Sequence, residues 1–245
     1  QPVLWLSSNA RYTEGRSIRG GIPICWPWFG KHQTEGAAPS HGYARICTWN
    51  LDHAVELDDG RLELLMSLPR AAQLGANRIA DLYLAVRIVI GVTLEVELTT
   101  HNNSASPISI TEGLHTYFNV SDVGNVFVQG LDGCAYVDLT DDDRRCGQSG
   151  PITFNGEVGR IFVDCDRATV IEDRKLGRAI HVSGAGSRSI AVWNPGLKVA
   201  SKMSDLGSEG WRNMVCVETA NALEDAVLLE PEQQHSLSAI YSVLP

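Results

Sequence analysis

Val92-Thr93-Leu94-Glu95-Val96-Glu97-Leu98 alternates apolar and polar side chains without a break. Successive side chains of an extended chain point to opposite faces, so Val92, Leu94, Val96 and Leu98 share one face while Thr93, Glu95 and Glu97 share the other. This is the pattern of an antiparallel strand with a core on one side and water on the other. Upstream, Asp58-Asp59-Gly60 carries the acidic-residue-plus-glycine signal of a hairpin turn, after which Leu62, Leu64, Met66 and Leu68 fall on one face. Downstream, His101-Asn102-Asn103-Ser104 and Ser106-Pro107 turn the chain into a short strand over 108–111.

The same reading gives further short strands at 125–129, 160–163, 168–171, 188–193, 214–218 and 236–243, separated by Gly, Asp, Asn and Pro turns. Residues 3–7 read as a strand that starts abruptly, so strands preceding it are expected to be missing. Long 3.6-residue periodicity is almost absent. The chain is therefore all-β and is expected to close as an antiparallel β-sandwich, with functional groups on one concave face or in the loops. Asp141-Asp142-Asp143 reads as a solvated loop, because no second ligand set at matching spacing would make it a metal site.

The chain has 245 residues, 44% of them hydrophobic, and lacks a Pro/Ser-rich or charged linker, which points to one domain over 1–245. A net charge of -9 disfavours nucleic acid and anionic membrane, so an anionic ligand has to be met by a local group of arginines. Six cysteines are scattered without a C-x-x-C pair, and Met214-Val215-Cys216-Val217 places one in an apolar run, a pattern of reduced core thiols. Without a signal segment or a bilayer-length apolar run, a cytoplasmic monomer is expected.

Thr111-Glu112-Gly113-Leu114-His115-Thr116-Tyr117-Phe118 sets an imidazole between apolar and aromatic neighbours. Histidine both gives and takes protons near neutrality, though a buried histidine bonded to backbone is the plain alternative. Val215-Cys216-Val217-Glu218-Thr219 ends an apolar strand in a carboxylate, which is either a surface charge or a base whose pKa a dry pocket raises. Together His115 and Glu218 supply an acid and a base of different type. Arg19 and Arg45 lie in loops dense in glycine and aromatics, where a guanidinium either grips an anion or caps loop carbonyls. His41 is an orienting imidazole or a packed one. Serine-nucleophile, phosphate-loop and dinucleotide motifs are missing, and the histidines do not cluster, so neither metal nor cofactor is indicated.

These residues resemble the hexose-6-phosphate mutarotases, the glucose-6-phosphate 1-epimerase branch of the aldose 1-epimerase superfamily. The likeness rests on the loop from Ile18-Arg19-Gly20-Gly21 to Trp26-Pro27-Trp28-Phe29-Gly30, on His41-Gly42-Tyr43-Ala44-Arg45, on Leu114-His115-Thr116-Tyr117-Phe118-Asn119, on Trp193-Asn194-Pro195 and on Val217-Glu218-Thr219. It implies a galactose-mutarotase-like supersandwich that interconverts the anomers of aldohexose 6-phosphates without a cofactor. His115 would be the general acid toward the ring oxygen and Glu218 the general base toward the anomeric hydroxyl, across a sugar-sized gap. Arg19 and Arg45 would hold the phosphate, with His41 lining the pocket. A mutarotase for unphosphorylated aldoses and a non-catalytic carbohydrate sensor are the alternatives. Two departures stand out: Glu157-Val158-Gly159-Arg160 has glycine where the family has a sugar-binding aspartate, for which a neighbour such as Glu157 or Asp164, or a water, would have to substitute, and 68–81 lacks an expected Trp-Pro pair.

Overall fold

The computed structural model describes residues 1–69 and 81–244, in which the period-two segments become two eight-stranded antiparallel sheets. Most of the region expected to hold a Trp-Pro pair lies outside the described residues. The first sheet runs in the order Ile24–Cys25, Glu112–Leu114, Met214–Asn221, Ser189–Asn194, Val158–Val163, Ala135–Asp138 and Arg144–Gly147, with Tyr117–Asn119 added beside the start of Met214–Asn221. The second runs Asn50–Glu56, Leu62–Ser67, Leu82–Ile90, Leu94–Asn102, Gln234–Leu244, Arg178–Ala185, Thr169–Asp173 and Val126–Gln129. One core cluster draws on both, from Leu84, Leu98 and Ile180 to Val215, Val217 and Phe162. That is a β-sandwich.

The deciding alternation holds from Leu94 onward, since Val96, Leu98, Thr100 and Asn102 are all buried. Val92 is a correction: it is fully exposed in the turn, where the Gly91 N–H donates to the Thr93 carbonyl. The acidic hairpin forms as read, joining Asn50–Glu56 to Leu62–Ser67. Residues 3–7 do not form a continuous strand; Leu4 bridges Phe118 and Leu6 bridges Gly20 as isolated contacts.

The cysteine reading is also corrected, because Cys134 and Cys165 form a disulfide across 31 residues. Antiparallel pairing of Ala135 with Val163 brings the two ends together, a register that cysteine spacing does not reveal. Cys25 and Cys216 remain buried thiols, as expected.

Between the sheets lies a buried polar chain. The Trp26 Nε1–H donates to Thr100 Oγ1 at 3.0 Å, and the Thr100 hydroxyl donates to Glu112 Oε2 at 3.1 Å. Oε1 of Glu112 has no hydrogen-bond partner and lies 3.6 Å from His235 Nε2. Burial, opposed only by the Thr100 bond, pushes the Glu112 carboxyl up to about 8. The folded chain therefore keeps a proton that the unfolded chain releases near the ordinary value of 4.5, and stability falls as pH rises between those two values. Glu112→Gln should remove this dependence. Urea midpoints of variant and parent should be close at pH 5 and separate in the variant's favour by pH 8; a parallel pair of curves would contradict the assignment.

Candidate active site

The Met214–Asn221 strand is buried along its whole length. Val215 and Val217 enter the inter-sheet core, so the period of two sends Cys216 and Glu218 to the opposite face of the first sheet. Two short strands pair with it end to end, Leu114 opposite Thr219 and Tyr117 opposite Cys216. The break between them is His115-Thr116, where the His115 N–H leaves the ladder and donates to the Pro23 carbonyl at 3.0 Å. The imidazole thereby arrives beside Glu218, with Nδ1 3.3 Å from Oε1. Its ring stacks on Tyr117, with 4.9 Å between centroids.

The pair forms part of a cavity of about 310 Å³. Ligand pockets begin at roughly 300 Å³, so this one has room for a single sugar. His115 and Glu218 do not face each other across a gap, as the resemblance implied; they lie 3.3 Å apart. All five sequence-derived site residues, Arg19, His41, Arg45, His115 and Glu218, line this cavity together with Phe29, Arg160 and Trp193.

Each remaining group is held by local structure. The Arg19 Nη1–H donates to the Tyr117 hydroxyl at 2.9 Å, while Nε and Nη2 lie 3.1 and 3.0 Å from Asp205 Oδ2. Burial works against that guanidinium, but Tyr117 and Asp205 outweigh it and raise its pKa. Arg45 sits on the one-turn Ala44–Ile46 helix, donating from Nη2 to the Ser40 carbonyl at 2.6 Å, and its Nε is buried without a partner. Sequence reasoning did not single out Arg160 as a site residue; its Nη1–H donates to Gln148 Oε1 at 2.7 Å and its guanidinium lies 4.8 Å from the Tyr136 ring centre. Asp205, the anchor of Arg19, carried no signal either, since the two are 186 positions apart.

His41 has a left-handed backbone, φ 62°, followed by Gly42 at φ 72°. A Cβ on Gly42 would lie 2.0 Å from the Trp26 carbonyl oxygen, so only glycine lets this loop cross over Trp26. The Gly30 N–H points at His41 Nδ1 from 3.2 Å. A backbone N–H only donates, so Nδ1 accepts and the neutral ring carries its proton on Nε2. Burial first, then Arg45 and Arg19, lower the pKa of His41 to about 3.

Within the central pair, burial raises the Glu218 carboxyl, against a smaller opposing pull from Arg45. Burial again, then His41, Arg45 and Arg19, lower His115. Both shifts favour the neutral forms, carboxylic acid and imidazole. The neutral pair and the ion pair hold the same number of protons, so one converts into the other with no net exchange with water.

Gly159 lines the cavity, and a Cβ there would meet Leu139 Cβ at 3.4 Å and Thr140 Cγ2 at 3.5 Å, ordinary contact distances. The position has room for a side chain and has none. Neither proposed substitute for the family's aspartate lines the cavity: Glu157 is exposed, and Asp164 is paired with Arg188 at 2.7 Å on the surface.

A sandwich of galactose-mutarotase type carrying a buried imidazole–carboxyl pair in a sugar-sized cavity defines the class. The aldose 1-epimerase family matches residues 1–242, and the chain belongs to it. It is 34% identical over 98% of its length to a protein of Escherichia coli (strain K12), 80% of which it covers, that is provisionally named glucose-6-phosphate 1-epimerase. The crystal structure of YeaD from Salmonella typhimurium, provisionally named a mutarotase, superposes with a TM-score of 0.89 at 34% identity, covering 98% of this chain and 79% of that one. A galactose mutarotase-like protein of Clostridium acetobutylicum shares the fold at 12% identity, with a TM-score of 0.65 over 91% of this chain and 79% of that one.

The tautomer of His41 is directly measurable. Ring nitrogen NMR should show His41 neutral, with its proton on Nε2, at every pH from 5 to 8; a titration inside that range would contradict its burial against Gly30 and the arginines.

Proposed function

We propose that this chain interconverts the α and β anomers of aldohexose 6-phosphates such as glucose 6-phosphate. The observation that carries the reading is the buried pair of His115 and Glu218, 3.3 Å apart, in a cavity also lined by Arg19 and Arg45. Ring opening needs a proton taken from the anomeric hydroxyl and another placed on the ring oxygen. Glu218 as carboxylate takes the first, and His115 as imidazolium gives the second. Arg45, which pulls the Glu218 pKa down, favours the carboxylate half of this arrangement. Opening leaves an acid and a neutral imidazole, the pair that burial stabilises. After rotation about C1–C2 the two transfers reverse, and the ring closes on the other face of the carbonyl.

Arg19 and Arg45 hold the phosphate, and His41 donates from Nε2 to a sugar oxygen. The reading extends to the monomeric, one-domain, cytoplasmic protein that the sequence suggests; among the described residues no helix is long and apolar enough to cross a membrane. The names of the curated relatives support the phosphorylated substrate.

Anomer exchange followed by NMR or polarimetry tests the proposal. His115→Asn and Glu218→Gln should each lose about 10²- to 10⁴-fold in rate with the fold intact. Near-parental rates in both would end the acid–base assignment. Arg19→Ala should raise KM more for glucose 6-phosphate than for glucose; equal effects would favour an enzyme for unphosphorylated aldoses. Saturable binding with no acceleration would instead make this chain a sensor.

The empty position at Gly159 gives a separate expectation. Hydrogen bonds to a charged acceptor contribute about 1.5–3 kcal/mol, so Gly159→Asp should lower KM by about tenfold or more. An unchanged or higher KM would show that the cavity does not seat a sugar hydroxyl against this position.

A further inference from the structure

The strand parity that exposes Glu218 to the cavity also places Cys216 on the same face, two residues earlier. Ligand atoms of His115, Cys216 and Glu218 all lie within 4.8 Å of one another. Imidazole, thiol and carboxylate are the three donor types that zinc uses. Ligands at the usual zinc bond lengths sit about 3.3–3.6 Å apart in a tetrahedron, and the His115–Glu218 separation is already 3.3 Å.

A second observation points the same way. Nδ1 of His115 and Oε2 of Glu218 are buried without hydrogen-bond partners, on side chains only 8% and 3% exposed. Buried polar atoms are nearly always satisfied, so these two are left unfilled by the protein's own groups. Both residues line the cavity, which gives an ion a way in, while the third, Cys216, is fully buried next to them. Sequence spacing gave no such cluster, because His115 is a hundred positions from the other two and no histidine pair accompanies it.

We propose that His115, Cys216 and Glu218 form a three-ligand site for a zinc-type divalent cation, and that its occupancy silences the acid–base pair. Zn²⁺ enters, the Cys216 thiol and the His115–Glu218 pair each release a proton to solvent, and thiolate, carboxylate and neutral imidazole bind the metal. The site is neutral before binding. Two anionic ligands against two positive charges leave it neutral afterwards, so no net charge is carried into a dry place. Magnesium, which seeks six oxygen ligands, is excluded by the same donor set. Silencing of exchange rests on the proposed function; metal binding does not.

The test uses the full chain with Zn²⁺ and with Co²⁺ as its coloured substitute. Competition against a chromophoric chelator should show one Zn²⁺ site, and Co²⁺ should give the near-ultraviolet charge-transfer absorption of a thiolate ligand. Cys216→Ser should abolish that absorption and weaken Zn²⁺ by more than the roughly 10–100-fold lost with a mere supporting partner. Cys25→Ser is the control, because Cys25 Sγ lies 3.2 Å from His41 Nδ1 and is the rival thiol–imidazole pair. It should change neither reading.

Absorption that survives in Cys216→Ser, or vanishes in Cys25→Ser, overturns the site. If Cys216→Ser does not fold, calorimetry of the parent in buffers of different ionisation heat decides, with about two protons released per Zn²⁺ expected and fewer refuting the ligand set. Zn²⁺ should stop anomer exchange and a chelator restore it; binding without inhibition refutes the silencing. A parent without exchange but with the cobalt absorption would sink the proposed function and leave the metal site standing.

Discussion

One pairing register governs the site: the Met214–Asn221 strand against Glu112–Leu114 at one end and Tyr117–Asn119 at the other. Had the partner been one continuous strand, the His115 side chain would have been bound to the alternation of a regular ladder. The two-residue break frees it, and the bond from its N–H to the Pro23 carbonyl ties it to the loop that carries Arg19 and Trp26. A shift of one residue in this register would turn Glu218 into the core and bring Val217 to the cavity. Val215, Val217 and Phe118, all buried in the core, make that shift costly. Hydrophobic packing behind the sheet thus fixes chemistry in front of it.

The same burial sets the protonation of the pair. A carboxylate and an imidazolium taken singly into that environment would each pay a large desolvation cost, and so both are held toward neutrality. Lying 3.3 Å apart, they have the placement that the proposed acid and base roles require. His41 is the contrasting case. Its Nδ1 already accepts from Gly30, so it is held as a neutral ring with its proton on Nε2. Two imidazoles with 5.4 Å between ring centres are thereby given different tasks by their hydrogen-bond partners.

Much of this was legible in the sequence where a local pattern carried it. Alternation over Leu94–Leu98 and the Asp58-Asp59-Gly60 turn depend on neighbours within a few residues, and both formed. The nine-residue strand Leu82–Ile90 escaped notice because its run of apolar residues scarcely alternates. Residues 3–7 looked like a strand but had only isolated bridges to make. The Cys134–Cys165 disulfide, the Arg19–Asp205 pair and the approach of Cys216 to His115 are products of long-range pairing, and composition and spacing contain no trace of them. The five site residues stood out from their local surroundings, but their roles came only through resemblance, since each taken alone had at least as good a structural reading.

The cavity is electrically lopsided. Arg19, Arg45 and Arg160 line it, and among the described residues Glu218 is its one carboxylate, kept toward neutrality by burial. The chain as a whole carries -9 and repels a sugar phosphate at a distance, with salt reducing that repulsion beyond roughly 8 Å. On the proposed function, capture depends on the last few ångströms, where guanidinium groups held by Tyr117, Asp205, Ser40 and Gln148 would meet the anion. A neutral sugar gains little from three cations and, at Gly159, finds no carboxylate to accept its hydroxyls. What the lining contains, and what position 159 lacks, both support the phosphorylated ligand of the proposed function.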